Sequence, residues 1–245
     1  MNIIFKYYQI LSILIIVPIV AIGLSIIYFM FQLPDDSILK SYKPDVMTRV
    51  HASNGDLVKE YSMEYRIFIP IEDIPLSIKN AFLSAEDKNF YKHYGIDPIG
   101  IIRAAIKNTT NIFTNRRPEG ASTITQQVAK NFLLSDELSI SRKIKEALLA
   151  IKIENSLSKD RILELYLNQI YLGAGTYGVA AASNRYFKKS LKELNLVEAA
   201  YLAALPKAPS RYDPNKNYEK AFCLLYTSDA ADEGLGVDLG GRRII

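Results

Sequence analysis

The spacing of apolar residues divides the chain before any single motif is read. From Ile10 to Leu33 it is dominated by Ile, Leu, Val, Phe and Ala, and no charge falls between Lys6 and Asp35. A helix that crosses a bilayer needs ~20 predominantly apolar residues, whereas the apolar core of a cleaved signal peptide is usually about 7–15 long. Here the run continues past Ala21 and Gly23 to Phe31, which predicts an uncleaved transmembrane helix over 10–33 rather than a leader. Lys6 ahead of the span and Asp35-Asp36 behind it put residues 1–9 on the cytoplasmic side.

Over 34–75 the period shortens. Val46–Ala52 and Leu57–Tyr61 flank Ser53-Asn54-Gly55-Asp56, and Asn-Gly between apolar runs signals a tight hairpin. Tyr65–Ile71 supplies a third short strand, so this connector carries a small β element. From about 76 to 205 the period is helical, within a domain expected over 76–222. Ile78, Phe82, Ala85 and Asn89 share a face that continues toward a stop at Gly95. Asp97-Pro98 restarts a helix, with a carboxylate at the N-cap and proline in the first turn. That helix fades at Asn108-Thr109-Thr110-Asn111, and the stretch through Asn115, Arg116, Arg117 and Pro118 to Gly120 reads as an exposed loop.

Further helices begin near Ser122, run from about Ser141 to Asn155 with Ile144, Leu148 and Ile151 on one face, and follow a cap at Ser158. Asn195 and Glu198 form a capping-box pattern before Leu196–Leu205, which Pro206 ends. No internal repeat is present. Cys223–Ile245 holds Asp229-Ala230-Ala231-Asp232-Glu233, four glycines and no sustained period, so it buries no useful face and reads as a disordered or non-native tail. The fold class expected is mainly α, with a small β element behind an N-terminal transmembrane helix.

Composition narrows the chemistry. Apolar residues make up 49% and charged residues 23%, a globular mixture. The net charge of +4 sits on no nucleic-acid-binding motif, so no nucleic acid partner is expected. Cys223 is the only cysteine and His51 and His93 the only histidines, which excludes an internal disulfide and leaves too few donors for a His/Cys zinc centre.

Four runs could carry chemistry. In Glu86-Asp87-Lys88-Asn89-Phe90-Tyr91-Lys92-His93-Tyr94-Gly95, continuous helix would put Glu86, Phe90 and His93 on one face at i, i+4 and i+7. A carboxyl beside apolar groups has its proton affinity raised and suits acid–base work; the plain alternatives are a solvated Glu86 and a His93 that orders the turn before Gly95. Gly120-Ala121-Ser122-Thr123-Ile124-Thr125-Gln126-Gln127, with Lys130 one turn on, is either an ordinary N-cap or a helix start whose free N–H groups bind phosphate. Arg142-Lys143-Ile144-Lys145-Glu146 is either a solvent-exposed ion-pair ladder or a cationic clamp for a pyrophosphate beside a second carboxylate. Lys159–Gln169 reads as scaffold, with Glu164 and Asn168 as polar supports. Ser37-Ile38-Leu39-Lys40 and Ser156-Leu157-Ser158-Lys159 match the Ser-x-x-Lys pattern of penicillin-reactive enzymes, but no Lys-Thr-Gly or Ser-x-Asn follows, and both read as coincidence.

Taken in order, these motifs resemble the family 51 glycosyltransferase domain of class A penicillin-binding proteins. The resemblance also takes in Arg185-Tyr186-Phe187, Ala204-Leu205-Pro206-Lys207 and Tyr212-Asp213-Pro214, and covers roughly 46–220. It implies a lysozyme-like helical lobe with a smaller membrane-proximal lobe that contacts lipid. It implies lipid II as substrate, a lipid-linked glycan strand as donor, and an inverting β-1,4 transfer that releases undecaprenyl pyrophosphate. On this chain Glu86 would be the general base; Lys130, Arg142 and Lys143 would stabilise the diphosphate, with Glu146 assisting beside them. Ser122, Thr123, Gln126 and Gln127 match donor-site contacts, with Asp87, Phe90, His93 and Asn168 in supporting roles.

No cofactor is expected to be required, with room for a divalent cation (Mg2+ or Mn2+) at the diphosphate. Expected partners are lipid II, the glycan strand, membrane lipid and other cell-wall synthesis proteins. The expected location is the bacterial inner membrane, single-pass, with the catalytic domain on the periplasmic or outer face. The transpeptidase domain that usually follows is absent from this sequence; with the unusual tail over 223–245, truncation is the expectation, as against a monofunctional enzyme. The rival readings are a glycan-cleaving muramidase or lytic transglycosylase, which needs no diphosphate clamp, and a non-catalytic membrane scaffold.

Overall fold

Seven consecutive side chains organise the architecture: Ile162 to Asn168 are all buried, so helix Lys159–Gln169 meets protein on every side and forms the centre of the fold. The computed structural model describes residues 2–35, 39, 48–54, 57–61, 65–113, 120–134, 139–207 and 209. In chain order its helices are α1 (Asn2–Phe31), α2 (Leu76–Glu86), α3 (Pro98–Phe113), α4 (Ile124–Leu133), α5 (Ile140–Ser156), α6 (Lys159–Gln169), α7 (Val179–Phe187) and α8 (Leu196–Ala204). The strands are β1 (Thr48–His51), β2 (Leu57–Tyr61), β3 (Tyr65–Arg66) and β4 (Thr176–Tyr177). The expected loop at Asn115–Pro118, Ser37 and Lys40 of the first Ser-x-x-Lys pattern, Tyr212-Asp213-Pro214 and the tail over 223–245 lie outside the described residues.

α4 packs on both α5 and α6, and α2 packs on α8. Phe82 of α2, Ile124 of α4, Leu149 and Ile153 of α5 and Leu202 of α8 are all fully buried in one core cluster with α6. Each such side chain contributes about 1.5–3 kcal/mol relative to exposure. Helix starts follow their capping residues: Ser139 Oγ accepts from Arg142 N–H, Ser158 Oγ from Arg161 N–H, and Asn195 Oδ1 from Glu198 N–H. The inward side of α5 carries Glu146, Leu149, Ala150 and Ile153. Sequence spacing pointed instead to Ile144, Leu148 and Ile151, the last of which is exposed. The helix is turned because two cations carry Glu146 inward.

β1 and β2 form the expected antiparallel hairpin, Thr48 opposite Tyr61, with an irregularity between Val50 and His51. β3 is shorter than the predicted Tyr65–Ile71 and pairs in parallel with β4. Past Arg66 the chain finds side chains instead of a partner strand. Asn168 Oδ1 accepts from Ile69 N–H and Asn168 Nδ2 donates to Ile69 O, both at 2.8 Å, while Glu164 Oε2 accepts from Ile71 N–H at 2.8 Å. α6 therefore substitutes for a strand edge and satisfies the incoming backbone. Gly178 sits at φ +82°, and a Cβ there would lie 2.7 Å from Asn168 O, so glycine is needed for this approach.

α3 begins as predicted, with Asp97 Oδ1 accepting from Gly100 N–H at 3.0 Å. It runs past the expected fade to Phe113, Thr109 Oγ1 donating to Ile106 O within the helix instead of ending it. Ile99, Ile102 and Ile106 are more than 60% exposed along α3, beside Arg103 and Lys107. α1 is continuous over Asn2–Phe31 with Pro18 inside, and it packs against α5. Among the described residues no helix is long and apolar enough to cross a membrane.

Candidate active site

α2 ends on Glu86, not at Asn89 or beyond, because Asp87 leaves helical geometry (φ −155°, ψ 78°) to bond elsewhere. Its Oδ2 accepts from Ile124 N–H, the first residue of α4, at 3.0 Å. Both its oxygens lie 3.0 Å from His93 Nε2. The chain then makes a short 3-10 turn at Phe90–Lys92. Glu86, Phe90 and His93 therefore do not share one helix face, a correction to the spacing argument. His93 orders the turn through Asp87, and Phe90 sets its ring edgewise to the imidazole.

Lys159 fastens this turn from below. Its Nζ donates to His93 O and to Glu154 Oε1, each at 2.7 Å, and lies 4.4 Å from the centre of the Phe90 ring. Thr125 Oγ1 donates to the same Glu154 oxygen at 2.6 Å. The lysine of the second Ser-x-x-Lys pattern is thus committed to a structural network. Gly95 lies against α5 at φ +79°, where a Cβ would come within 2.7 Å of the Ala150 carbonyl.

The start of α4 is a capping box. Thr123 Oγ1 accepts from Gln126 N–H at 3.2 Å and donates to Gly95 O at 2.6 Å, and Gln126 Oε1 accepts from Thr123 N–H at 3.0 Å. Thr123, Thr125 and Gln126 are buried. Two of the N–H groups expected to receive a phosphate are not free: Asp87 holds that of Ile124 and Thr123 that of Gln126, the protein's own carboxylate lying at the helix start. Thr123 and Gln126 serve the cap.

Two other residues of this segment face the chemistry. Gln127 Nε2 donates to Glu86 Oε2 at 2.7 Å, and Ser122 Oγ accepts from Lys143 Nζ at 2.9 Å. Lys143 Nζ is also 2.5 Å from Glu146 Oε2, and Arg142 Nε is 3.3 Å from Glu146 Oε1. The Glu146 side chain is 4% exposed and that of Lys143 53%, so the group is a buried carboxylate beneath two cations, not a solvent-exposed ladder. Two cations against one carboxylate leave a net positive charge. Six residues, Ser122–Gln127, thereby hold both the Glu86 carboxylate and the Arg142–Lys143–Glu146 cluster. Lys130 stands exposed on the last turn of α4 and bonds none of the described residues.

Burial raises the proton affinity of Glu86 above the ordinary carboxylate value. The Gln127 hydrogen bond and the charge of Lys207 work against that rise, and Asp87 adds to it. Lys207 comes from the turn Leu205–Lys207, delivered by the packing of α8 on α2. Sequence reasoning gave it no place in the site, since its only signal was a position in a distant motif. Tyr166, read as core, is also near: Glu86 and Asp87 both act on its hydroxyl, whose pKa burial pushes well above 10. Among the described residues no three His, Cys, Asp or Glu side chains group as a metal site would.

Comparison with known proteins matches residues 54–223 to the family described as Transglycosylase, a stretch that includes every residue of this cluster. The chain belongs to the transglycosylase family. Penicillin-binding protein 1A of Rickettsia bellii is 51% identical over 247 residues, covering 96% of this chain and 31% of that protein. The protein of the same description from Rickettsia typhi is 50% identical over 216 residues (88% and 28%), and that from Aquifex aeolicus 50% over 190 residues (78% and 26%). This transglycosylase chain spans less than a third of the length of these curated relatives. A crystal structure of penicillin-binding protein 1A from Haemophilus influenzae overlaps it with a TM-score of 0.38 at 25% identity, over 76% of this chain and 18% of that one. That overlap is too loose to carry an argument about the site.

Proposed function

We propose that this chain is a peptidoglycan glycosyltransferase that polymerises lipid II into β-1,4-linked glycan with inversion, releasing undecaprenyl pyrophosphate. The observation that carries the reading is the convergence on Ser122–Gln127 of the half-buried Glu86 carboxylate and a net-positive cluster. Glu86, its proton affinity raised by burial, takes the proton of the acceptor 4-hydroxyl as that oxygen attacks C1 of the donor. Arg142 and Lys143, held by Glu146, meet the charge that develops on the departing diphosphate, with Lys130 approaching from the outer end of α4. Fixed charge at the point where charge develops is usually the largest catalytic contribution. Glu146, tied to two cations, orients them and is not the base. The reading requires no cofactor; a divalent cation, where one takes part, comes with the diphosphate oxygens.

The rest of the chain is assigned in keeping with this. Residues 10–33 anchor the protein in the inner membrane, 34–75 connect, and 76–222 form the lysozyme-like lobe on the outer face. The uncharged helical stretch of α1 and the exposed isoleucines of α3 flanked by Arg103 and Lys107 support an apposition to lipid. Nothing in the site favours glycan cleavage or a scaffold role. The test is lipid II turnover by the purified full chain. Glu86→Gln slows polymerisation by at least ~100-fold; near-normal glycan synthesis by that variant removes Glu86 from the role.

A further inference from the structure

Inside the core lies a hydroxyl that packing does not explain. Tyr166 is 1% exposed on α6, and its hydroxyl has no hydrogen-bond partner among the described residues. A buried hydroxyl left without a partner is costly, and phenylalanine would fill the same space without that cost. Its ring stands edgewise to Phe82, 6.3 Å between centroids, and Phe82 lies one helical turn before Glu86 on α2. On the other side of the same turn Glu86 spends only one oxygen: Oε2 accepts from Gln127, while Oε1 accepts from none of the described residues. An unused donor and an unused acceptor thus flank Phe82, near enough for the Glu86 charge to act on the Tyr166 hydroxyl.

We propose that Tyr166 is a positioning residue for Glu86, its hydroxyl donating to the Oε1 side of the carboxylate, directly or through one buried water, when Glu86 is charged. The hydroxyl holds the carboxylate toward the acceptor and stabilises its ionised form against burial. The charged and titratable groups around Glu86 are Asp87 on its own chain segment, Lys207 from the turn after α8 and Tyr166 from α6, with the Gln127 amide from α4. Asp87 is already taken by His93 and Ile124, which leaves Glu86 as the acceptor for Tyr166.

The inference rests on the glycosyltransferase reading, and the pH dependence of kcat/KM for lipid II polymerisation by the full chain tests it. Activity rises as Glu86 ionises. Tyr166→Phe removes a donor to the charged form, so the acid limb moves up by about one pH unit and activity below it falls about tenfold. At a pH where Glu86 is protonated the melting midpoint of Tyr166→Phe does not fall, because no packing is lost; where Glu86 is charged it falls, because the bond to the carboxylate is gone. Replacing Tyr166 with 3-fluorotyrosine, a stronger donor, moves the limb the opposite way and decides the matter should the phenylalanine variant fold poorly. A merely structural tyrosine moves neither limb: profiles superimposable on wild type overturn the proposal. Wild-type protein inactive on lipid II would instead end the glycosyltransferase reading itself.

Discussion

Asp87→Ala is the sharpest test of how the site is built, because it strands two donors at once. Asp87 is 7% exposed, and its carboxylate serves Ile124 N–H at 3.0 Å and His93 Nε2 at 3.0 Å. A buried donor left unsatisfied costs about 1–3 kcal/mol. The charge also sits at the start of α4, where an anion is worth about 0.3–1 kcal/mol. The two stranded donors and the lost charge come to about 2–7 kcal/mol, and about 3–5 kcal/mol, the usual penalty for removing one partner from a buried pair, lies in the middle of that range. In a domain of this size 1 kcal/mol moves the melting midpoint by about 2–4 °C, so Asp87→Ala melts about 6–20 °C below wild type. Asp87→Asn loses less, because its amide oxygen still serves Ile124 while the imidazole must change tautomer. Differential scanning calorimetry or circular dichroism of the detergent-solubilised full chain reads the shift. A midpoint within about 2 °C of wild type would refute the reasoning, for it would mean that α4 is capped by something other than Asp87.

The remaining predictions concern charge. Glu86 has its proton affinity raised in the folded state, so its ionisation opposes folding: the protein is most stable with Glu86 protonated and loses that stability as pH rises through the folded-state value. Glu86→Gln, expected to be at least ~100-fold slower as a polymerase, is therefore at least as stable as wild type at pH 8, and its advantage shrinks as the pH is lowered; an advantage that does not change with pH would count against a base whose charge burial penalises. Lys143→Ala takes one of two cations from the buried Glu146 carboxylate, which Arg142 still pairs, and costs about 1–3 kcal/mol of stability, while it lowers kcat by roughly 100-fold if that ammonium meets the leaving diphosphate. A fall in stability without a fall in turnover would reverse that assignment.

Much of the molecule was legible because its signals are local. Ser158 and the Asn195–Glu198 pair announce helix starts through side chains that bond within one turn, and the structure places those starts as predicted, whereas the cap at Ser139 lies two residues ahead of the expected start near Ser141. What sequence spacing missed depends on partners distant in the chain. The helical run through Glu86 could not be seen to stop there, because the reason is Ile124, 37 positions away. The strand predicted to Ile71 was cut short by Asn168 and Glu164, each more than 90 positions away, which bond its backbone in place of a neighbouring strand. The α5 face was misjudged by counting isoleucines, since a paired glutamate took the inward position. Lys207 and the hydroxyl of Tyr166 carried no local signal at all.

The Asp87–Ile124 bond also bears on why base and clamp can act as a unit. Glu86 is tied to Gln127, Asp87 to Ile124 and Lys143 to Ser122, so each half of the proposed reaction site is referenced to the same six residues at the start of α4. A displacement of α4 carries carboxylate and cations together and changes the distance between them little, whereas two independently mounted groups would drift apart. Because the reacting atoms must hold their geometry to within a fraction of an ångström, such common mounting preserves rate against motion elsewhere. It also predicts where damage spreads. Weakening the Thr123 cap, which touches neither Glu86 nor Lys143, should lower turnover more than it lowers stability, since it loosens the one element both groups depend on.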